Sequence, residues 1–245
     1  MTCIVRLYES PQLRDPVLIE GLPGIGLVAN LATSHLIKEL GARLFVEIFS
    51  SSFADIAITS GEGEFKFPVS RLYYSKAKNG RRDLILLYGD TQASTTQGQY
   101  ELCWQILELV ENLGCKRVIS IGGYRPGREV LEPKLYYAAS DLEAAQEAAN
   151  LGAEILSGRI FGVAGLLIGL CRLREMKGFC LLAETPGNYP DKAAAREILK
   201  TLNGILGLNL DLSKDIVTVG ELWGTEFSEL KTHTDKREVP PEWFI

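Results

Sequence analysis

The stretch that decides the fold is Val17-Leu-Ile-Glu-Gly-Leu-Pro-Gly-Ile-Gly-Leu-Val28. It begins within a short apolar run, Pro16 to Glu20, which is typical of a buried strand. Gly21-Leu-Pro-Gly24 then predicts a turn, and the pattern from about Ile25 to Leu40 predicts a helix. A buried strand that enters a helix through a glycine turn is typical of α/β proteins with a parallel sheet.

Strand and helix signals alternate in the same way along the rest of the chain. Further strands are predicted at Arg43–Phe49, Asp83–Tyr88, Arg117–Ile121, Lys134–Ala138 and Gly178–Ala183, with a hairpin or meander in Ala57–Lys76. Further helices are predicted from Ser94 to Leu113, Ser140 to about Ala149, Phe161 to Glu175 and Pro190 to about Leu206. The sequence therefore predicts one α/β domain over residues 1–224, with a mostly parallel sheet covered by helices, followed by an extended tail over residues 225–245.

Local signals set several of these boundaries. Ser94-Thr-Thr-Gln97 and Ser140-Asp-Leu-Glu143 both read as capping boxes, in which the serine hydroxyl accepts a backbone N–H and the fourth residue reaches back. Gly122-Gly123 is predicted to end the strand that begins at Arg117. In the helix predicted after Phe161, Gly162, Gly165 and Gly169 would allow another backbone to come close.

Composition excludes several classes of function. The formal net charge is −5 and no long basic run occurs, so a nucleic-acid partner is not expected. The most apolar run, Ile160 to Cys171, is too short to cross a bilayer, and the N-terminus lacks the features of a signal peptide. Five cysteines without a C-x-x-C pair do not form a disulfide framework, so we expect a cytoplasmic protein without a membrane partner.

Four carboxylates lie at or near predicted strand ends, where ligands bind in doubly wound sheets: Glu20, Glu47, Asp90 and Glu184. If they converge, they could hold a metal or a cationic group, or shift one another's pKa values. The alternative, which we favour, is that loops after strands are polar because they are solvated. No metal site is therefore predicted here.

The turn itself carries a second candidate site. Gly24-Ile-Gly26-Leu-Val-Ala29 matches G-x-G-x-x-A between a strand and a helix, and Glu47 follows near the end of the next strand. That is the context of a dinucleotide-binding loop, with Gly21 and the helix amides near a pyrophosphate. Pro23 stiffens the turn, however, and nothing downstream supplies a hydride-transfer acid or base. We favour a structural role for the loop, with a nucleotide- or nucleoside-binding enzyme as the alternative.

Other catalytic patterns are missing from the sequence. The two histidines, His35 and His233, have no zinc-ligand spacing, and no G-x-S-x-G elbow occurs. Cys103 and Cys171 lie in apolar helices, where thiols are usually inert. We therefore predict a non-enzymatic protein that uses no cofactor.

The C-terminal segment has the pattern of a docking element. Thr225 to Glu242 is polar and ends with Pro240-Pro241, and Trp243, Phe244 and Ile245 follow as three large apolar residues. Such residues leave apolar surface exposed unless they pack on their own domain or on a partner. The 11 residues from Asp235 to Ile245 could reach roughly 35 Å when extended. We favour docking on a partner over packing back.

Three motifs together resemble the archaeal relatives of the proteasome assembly chaperones, a family in which some members are loosely described as ATP-grasp-like. The first is the Val17–Val28 stretch, and the second is Gly158-Arg-Ile-Phe-Gly162 with Gly165-Leu-Leu. The third is Leu181-Leu-Ala-Glu-Thr-Pro-Gly187, followed by Pro190-Asp191. The resemblance covers nearly the whole domain, and the first motif is the most specific.

The resemblance implies a three-layer α/β/α fold similar to the purine nucleoside phosphorylases, without their catalytic residues. It also implies self-association and binding to the α-subunit ring of the proteasome through a C-terminal hydrophobic-tyrosine-any tripeptide. Trp243 matches the hydrophobic position, Phe244 stands where tyrosine is expected, and Ile245 is the last residue. Phenylalanine keeps the ring but loses the hydrogen bond of the hydroxyl, typically about 1 kcal/mol.

Overall fold

The computed structural model describes residues 3–59, 63–77, 81–188 and 190–216. The predicted tail and the 224/225 domain boundary lie outside these residues. The strands are β1 Cys3–Leu7, β2 Val17–Glu20, β3 Arg43–Ser50, β4 Ile58–Thr59, β5 Phe65–Lys66, β6 Ser70–Ser75, β7 Leu84–Gly89, β8 Arg117–Tyr124, β9 Leu135–Ala139, β10 Glu154–Ile155 and β11 Lys177–Glu184. The helices are α1 Val28–Glu39, α2 Thr96–Glu111, α3 Leu142–Ala149, α4 Val163–Cys171 and α5 Lys192–Leu206.

Nine of the strands within the described ranges form one sheet in the order β1-β3-β6-β7-β2-β8-β11-β9-β10. The four central strands, β7, β2, β8 and β11, are parallel to their neighbours in that group. β1, β3 and β6 continue the sheet on one side through antiparallel ladders. On the other side β9 is antiparallel to β11, and the two-residue β10 is parallel to β9. β4 and β5 form a separate hairpin.

The core lies on both faces of this sheet. One face packs against α2 and α4, with Leu18, Leu102 and Leu167 among the fully buried side chains. The other packs against α1, α3 and α5, with Ile19 and Leu199 among its buried residues. Because β2 is buried on both faces, it reads as a continuous apolar run rather than an alternating one. The predicted α/β fold, a central sheet between two helical layers, is confirmed. The detailed likeness to purine nucleoside phosphorylases stays a prediction.

The predicted end of β8 was wrong. β8 does not end at Gly122-Gly123 but runs to Tyr124, because both glycines pair in register with Leu182 and Ala183 of β11. An added Cβ at Gly123 would lie 2.3 Å from the carbonyl oxygen of Ile25, so the glycine permits close contact rather than a turn.

The two capping boxes are each displaced by one residue. Thr95, not Ser94, accepts the N–H of Gly98 at the start of α2. Asp141, not Ser140, accepts the N–H of Ala144 at the start of α3. The serine hydroxyls have other partners, since Ser94 donates to the carbonyl oxygen of Ser52 and Ser140 donates to Asp141. Several polar residues at a helix start compete for one cap, and tertiary contacts select among them.

Two strands were not predicted, and the predicted end of one helix was wrong. β1 and β10 are the outermost strands of the sheet, and both are too short to show a clear pattern. α4 ends at Cys171, four residues before the predicted end, and a 3₁₀ turn over Arg172–Arg174 leads to Glu175 with φ +54°. Within the described ranges, no helix is long and apolar enough to cross a membrane.

Candidate functional site

The glycine loop between β2 and α1 has an unusual backbone conformation. Gly26 has φ +63° and Leu27 has φ +49°, both in the left-handed region. Gly26 tolerates this conformation, whereas a leucine there is strained. Leu27 is the N-cap of α1 and provides no side-chain hydrogen bond to it. The loop therefore keeps its shape because contacts with other segments fix it.

Hydrogen bonds from three other segments hold this loop. Gln92, after β7, donates from Nε2 to the carbonyl oxygen of Pro23 at 2.7 Å. The N–H of Asp191 donates to the carbonyl oxygen of Gly26 at 2.8 Å. The N–H of Gly21 donates to the carbonyl oxygen of Leu87 at 3.0 Å. The predicted loop residues thus connect the ends of β2 and β7 to the start of α5.

Protein side chains occupy the space beside the loop. An added Cβ at Gly26 would lie 2.7 Å from Oγ1 of Thr185. The Thr185 hydroxyl donates to Asp191 Oδ2 at 2.6 Å and accepts the N–H of Gly187 at 3.1 Å. By contrast, nothing lies within 4 Å of an added Cβ at Gly24. Gly26 is needed for its backbone conformation and for the close approach of Thr185, whereas Gly24 is not crowded.

The four predicted carboxylates do not meet in one place. Glu47 and Asp90 are joined by Arg71 of β6, whose guanidinium lies 3.1 Å from Glu47 Oε1 and 3.3 Å from Asp90 Oδ2. Tyr8 also donates its hydroxyl to Glu47 at 2.7 Å. Burial raises the pKa of Asp90, and the Arg71 charge opposes that rise. This pair forms an ion network across β3 and β6 rather than a free ligand set.

Glu184 lies at the end of β11 in a network of its own. Its side chain is fully buried and accepts from Arg128 at 2.5 Å and from the Tyr136 hydroxyl at 3.0 Å. The backbone N–H of Lys134 donates to its second oxygen at 3.4 Å. A buried carboxylate needs such compensation, because an unpaired ion inside a protein is very unfavourable. Glu184 therefore ties β11 to β9 and to the loop before it.

Glu20 is different from the other three. It is 1% exposed at the end of β2, and its Oε1 accepts the N–H of Leu22 at 2.9 Å. Its Oε2 has no hydrogen-bond partner. Burial raises the pKa of this carboxyl to about 8, and the hydrogen bond from Leu22 only partly offsets the rise. Glu20 is thus mostly protonated at neutral pH and lies in the same sheet row as Ser120 and Cys180.

The described residues hold no cluster of three or more His, Cys, Asp or Glu side chains that could bind a metal ion. The five cysteines are buried, and none of them forms a disulfide bond. Burial raises the pKa of the Cys171 and Cys180 thiols to about 12. His35 is buried within α1, and burial lowers the pKa of its imidazole. These groups pack as core residues.

Several residues that shape this region were not singled out from the sequence. Gln92, Thr185 and Asp191 fix the glycine loop, and Arg71 and Arg128 neutralise the carboxylates. Thr185 and Asp191 do fall inside the third motif of the resemblance, which could have drawn attention to them. No local sequence pattern identifies the two arginines as partners of the carboxylates, because the residues of each pair are distant in sequence. The predicted docking residues Trp243, Phe244 and Ile245 lie outside the described residues.

The fold and the loop define a class of α/β protein in which the glycine turn after the first buried strand is packed against the strand ends. The chain belongs to the PAC2 family, whose model matches residues 18–231. The resemblance inferred from the three motifs is confirmed.

Two solved structures and one sequence relative are informative. The chain is similar to PbaB of Pyrococcus furiosus, an archaeal proteasome activator, with 34% identity, a TM-score of 0.81, and coverage of 86% of this chain and 92% of that chain. It is also similar to PbaA of the same organism, an archaeal homolog of proteasome-assembly chaperone, with 28% identity, a TM-score of 0.71, and coverage of 86% and 84%. The uncharacterized protein MJ1210 of Methanocaldococcus jannaschii is 31% identical over 85% of this chain and 81% of its own length.

Proposed function

We propose that this protein is a non-enzymatic, chaperone-like protein of the cytoplasm that binds the α-subunit ring of the proteasome. The observation that carries the proposal is the similarity to PbaB over nearly the whole of both chains. The similarity to PbaA, a homolog of proteasome-assembly chaperone, also supports a proteasome partner. The proposed docking element is the tripeptide Trp243-Phe244-Ile245, on a tail that begins at about Thr225.

The described residues support a non-enzymatic role because most of the candidate polar groups already have partners within the protein. In the loop that could receive a nucleotide, the N–H groups of Gly21 and Leu27 already donate to the carbonyl oxygens of Leu87 and Gly24, and Thr185 occupies the space beside Gly26. Three of the four candidate carboxylates are held in ion networks with arginines. Acid–base and metal chemistry both need groups that can reach a substrate, and these groups instead reach one another.

Several tails would have to act together. A single flexible segment loses conformational entropy when it becomes ordered on binding, so one tripeptide binds weakly. We therefore include self-association in the proposal, because several tails on one oligomer could raise the effective affinity by ~10²–10⁴ if their spacing fits the ring.

The test is a pull-down of assembled α rings with the full chain and with a variant that lacks Trp243, Phe244 and Ile245. We expect the truncation to abolish binding without lowering the melting temperature. A single residue added after Ile245 should do nearly the same, because it moves the terminal carboxylate. Phe244→Tyr should strengthen binding by restoring a hydroxyl that can form a hydrogen bond. Intact binding by the truncated chain, together with a melting temperature several degrees lower, would show that the tail packs on its own oligomer.

A further inference from the structure

Strand β1 leaves one edge of the large sheet open. In the described part of the chain its only ladder is the antiparallel one with β3. The N–H of Tyr8 donates to the carbonyl oxygen of Phe45 at 2.9 Å. Because backbone groups alternate in direction along a strand, those of Arg6 also face β3, whereas those of Val5 and Leu7 face away from the sheet. An edge with unpaired backbone groups is a template for another strand.

The side chains along this edge are apolar. Ile4 is 68% exposed and Leu7 is 60% exposed, on opposite faces of the strand. Natural proteins usually protect an open edge with charges, proline or a bulge, and Arg6 is the only charged residue within β1. The guanidinium of Arg6 lies 3.9 Å from Glu47 of the neighbouring strand. This edge is therefore poorly protected against pairing.

An apolar groove adjoins the same edge. It has a volume of about 480 Å³ and is lined by Ile4 and Phe49, which are opposite each other in the β1–β3 ladder, and by Phe53, Ile56 and Phe67. Phe67 is 62% exposed, and Phe65, two residues before it, is 70% exposed. Aromatic side chains of this kind are typical anchors of protein–protein interfaces.

The charges on this surface are compatible with a contact between two copies of the chain. Asp55 lines the groove, and Lys66 lies between Phe65 and Phe67 on the hairpin strand β5. Neither has a hydrogen bond or ion pair in the part of the chain that the structure describes. A two-fold contact places the same patch on both sides, so a patch that carries both signs can meet opposite charges on its partner.

The exposed apolar area of this patch also matches the area that a contact with a second copy of the chain would bury. Ile4, Leu7, Phe65 and Phe67 are each exposed by 60% to 70%. Since an aromatic or large aliphatic side chain presents roughly 200 Å² when fully exposed, these four together offer on the order of 500 Å² of apolar surface. A standard interface buries about 800 Å² per partner, of which about 60% is apolar. The apolar surface at this edge is what one side of such an interface needs.

From this edge, groove and charge pattern, we propose that two copies of the chain associate through β1 and the adjoining groove, pairing their β1 strands in antiparallel order across a two-fold axis. The interface residues are Ile4, Val5 and Leu7 of the edge together with Phe65 and Phe67. This inference rests on the self-association included in the proposed function, and it names the surface that carries it.

The test measures the oligomeric state of the full chain and its variants by sedimentation at fixed concentration. Ile4→Glu and Phe67→Glu place charges on exposed positions and should weaken association by at least ~30-fold, the effect of losing an interface hot spot. Leu7→Pro removes an outward N–H without touching the β1–β3 ladder and should act in the same direction. Circular dichroism and the melting temperature of each variant establish that it is folded.

The control is Leu142→Glu, because Leu142 is 89% exposed near the opposite edge of the sheet. We expect this variant to associate as the unchanged protein does. If Leu142→Glu dissociates the oligomer and the β1-edge variants do not, the proposed surface is wrong while self-association stands. If the unchanged chain sediments as a 27.0 kDa monomer, self-association fails and this proposal fails with it. Binding of the monomeric variants to α rings, measured separately, tests the tail.

Discussion

Replacement of Glu20 by glutamine tests the buried carboxyl at the centre of the sheet. Glu20 is buried with Oε2 unpartnered, and the neighbouring thiols of Cys103 and Cys180 remain protonated because burial raises their pKa values as well. Glutamine has nearly the same shape and keeps an oxygen that can accept the N–H of Leu22. The substitution therefore removes the titration and keeps the hydrogen bond from Leu22.

The pKa of Glu20 sets the size and the sign of the effect. Its folded pKa is about 8, whereas its ordinary value is 4.5. Well below pH 4.5 both states carry the proton, so titration of Glu20 does not change the stability there. Above pH 4.5 the unfolded state releases the proton while the folded state keeps it, so stability falls by about 1.4 kcal/mol per pH unit until the folded pKa is reached. At pH 7 the raised pKa of Glu20 therefore lowers the free energy of unfolding by at most about 3 kcal/mol.

The assay is urea unfolding of the original chain and of Glu20→Gln from pH 4.5 to pH 8, at one protein concentration. We expect the two to have similar stability near pH 4.5, and the variant to be more stable by up to about 3 kcal/mol at pH 7. Glu184→Gln is the matched control, because Glu184 is equally buried but paired with Arg128, so its loss should destabilise at pH 7. A stability difference for Glu20→Gln that does not change with pH would refute the reasoning.

Three further predictions concern the glycine loop and the thiols. Gly26→Ala should lower the free energy of unfolding by roughly 2 kcal/mol or more, because the residue has φ +63° and the added Cβ would collide with Thr185. Gly41→Ala should lower it by only about 1 kcal/mol, because Gly41 has φ +58° but nothing lies within 4 Å of an added Cβ. Thermal unfolding of both variants compares the two effects. Titration with NAD, ATP and adenosine should give no thermal shift below millimolar ligand, and a micromolar response would favour the nucleotide-binding alternative. The five buried cysteines should react with a thiol reagent only after unfolding, so rapid labelling of the native protein would contradict their burial.

Much of the fold could be predicted because its signals are local. β2, β7 and β11 are continuous apolar runs, and α5 follows a proline and a capping aspartate. Errors arose where two local signals competed, as for Ser94 and Thr95, or where a glycine served packing rather than a turn, as in β8. The edge strand β1 was missed because five residues without a flanking pattern cannot be distinguished from a loop.

The candidate site was less accessible to sequence reasoning. The positions of Glu20, Asp90 and Glu184 at or just after strand ends could be predicted, whereas Glu47 lies inside β3 rather than at its end. The partners of all four could not be predicted. Arg71 lies 24 residues from Glu47, and Arg128 lies 56 residues from Glu184. No periodicity or motif relates such pairs, because the sheet brings them together only after the strands are ordered.

The sequence by itself determined the succession of strands and helices, the glycine turn after β2 and the family to which the chain belongs, since hydrophobic periodicity, caps and turn residues act over a few neighbouring positions. The tertiary structure alone decided that Glu20 is buried, that Thr185 packs against Gly26, and that β1 is an edge strand of the sheet formed by the described residues. Each of these depends on which distant segments come into contact, and burial, pKa and exposed edges are properties of that assembled arrangement.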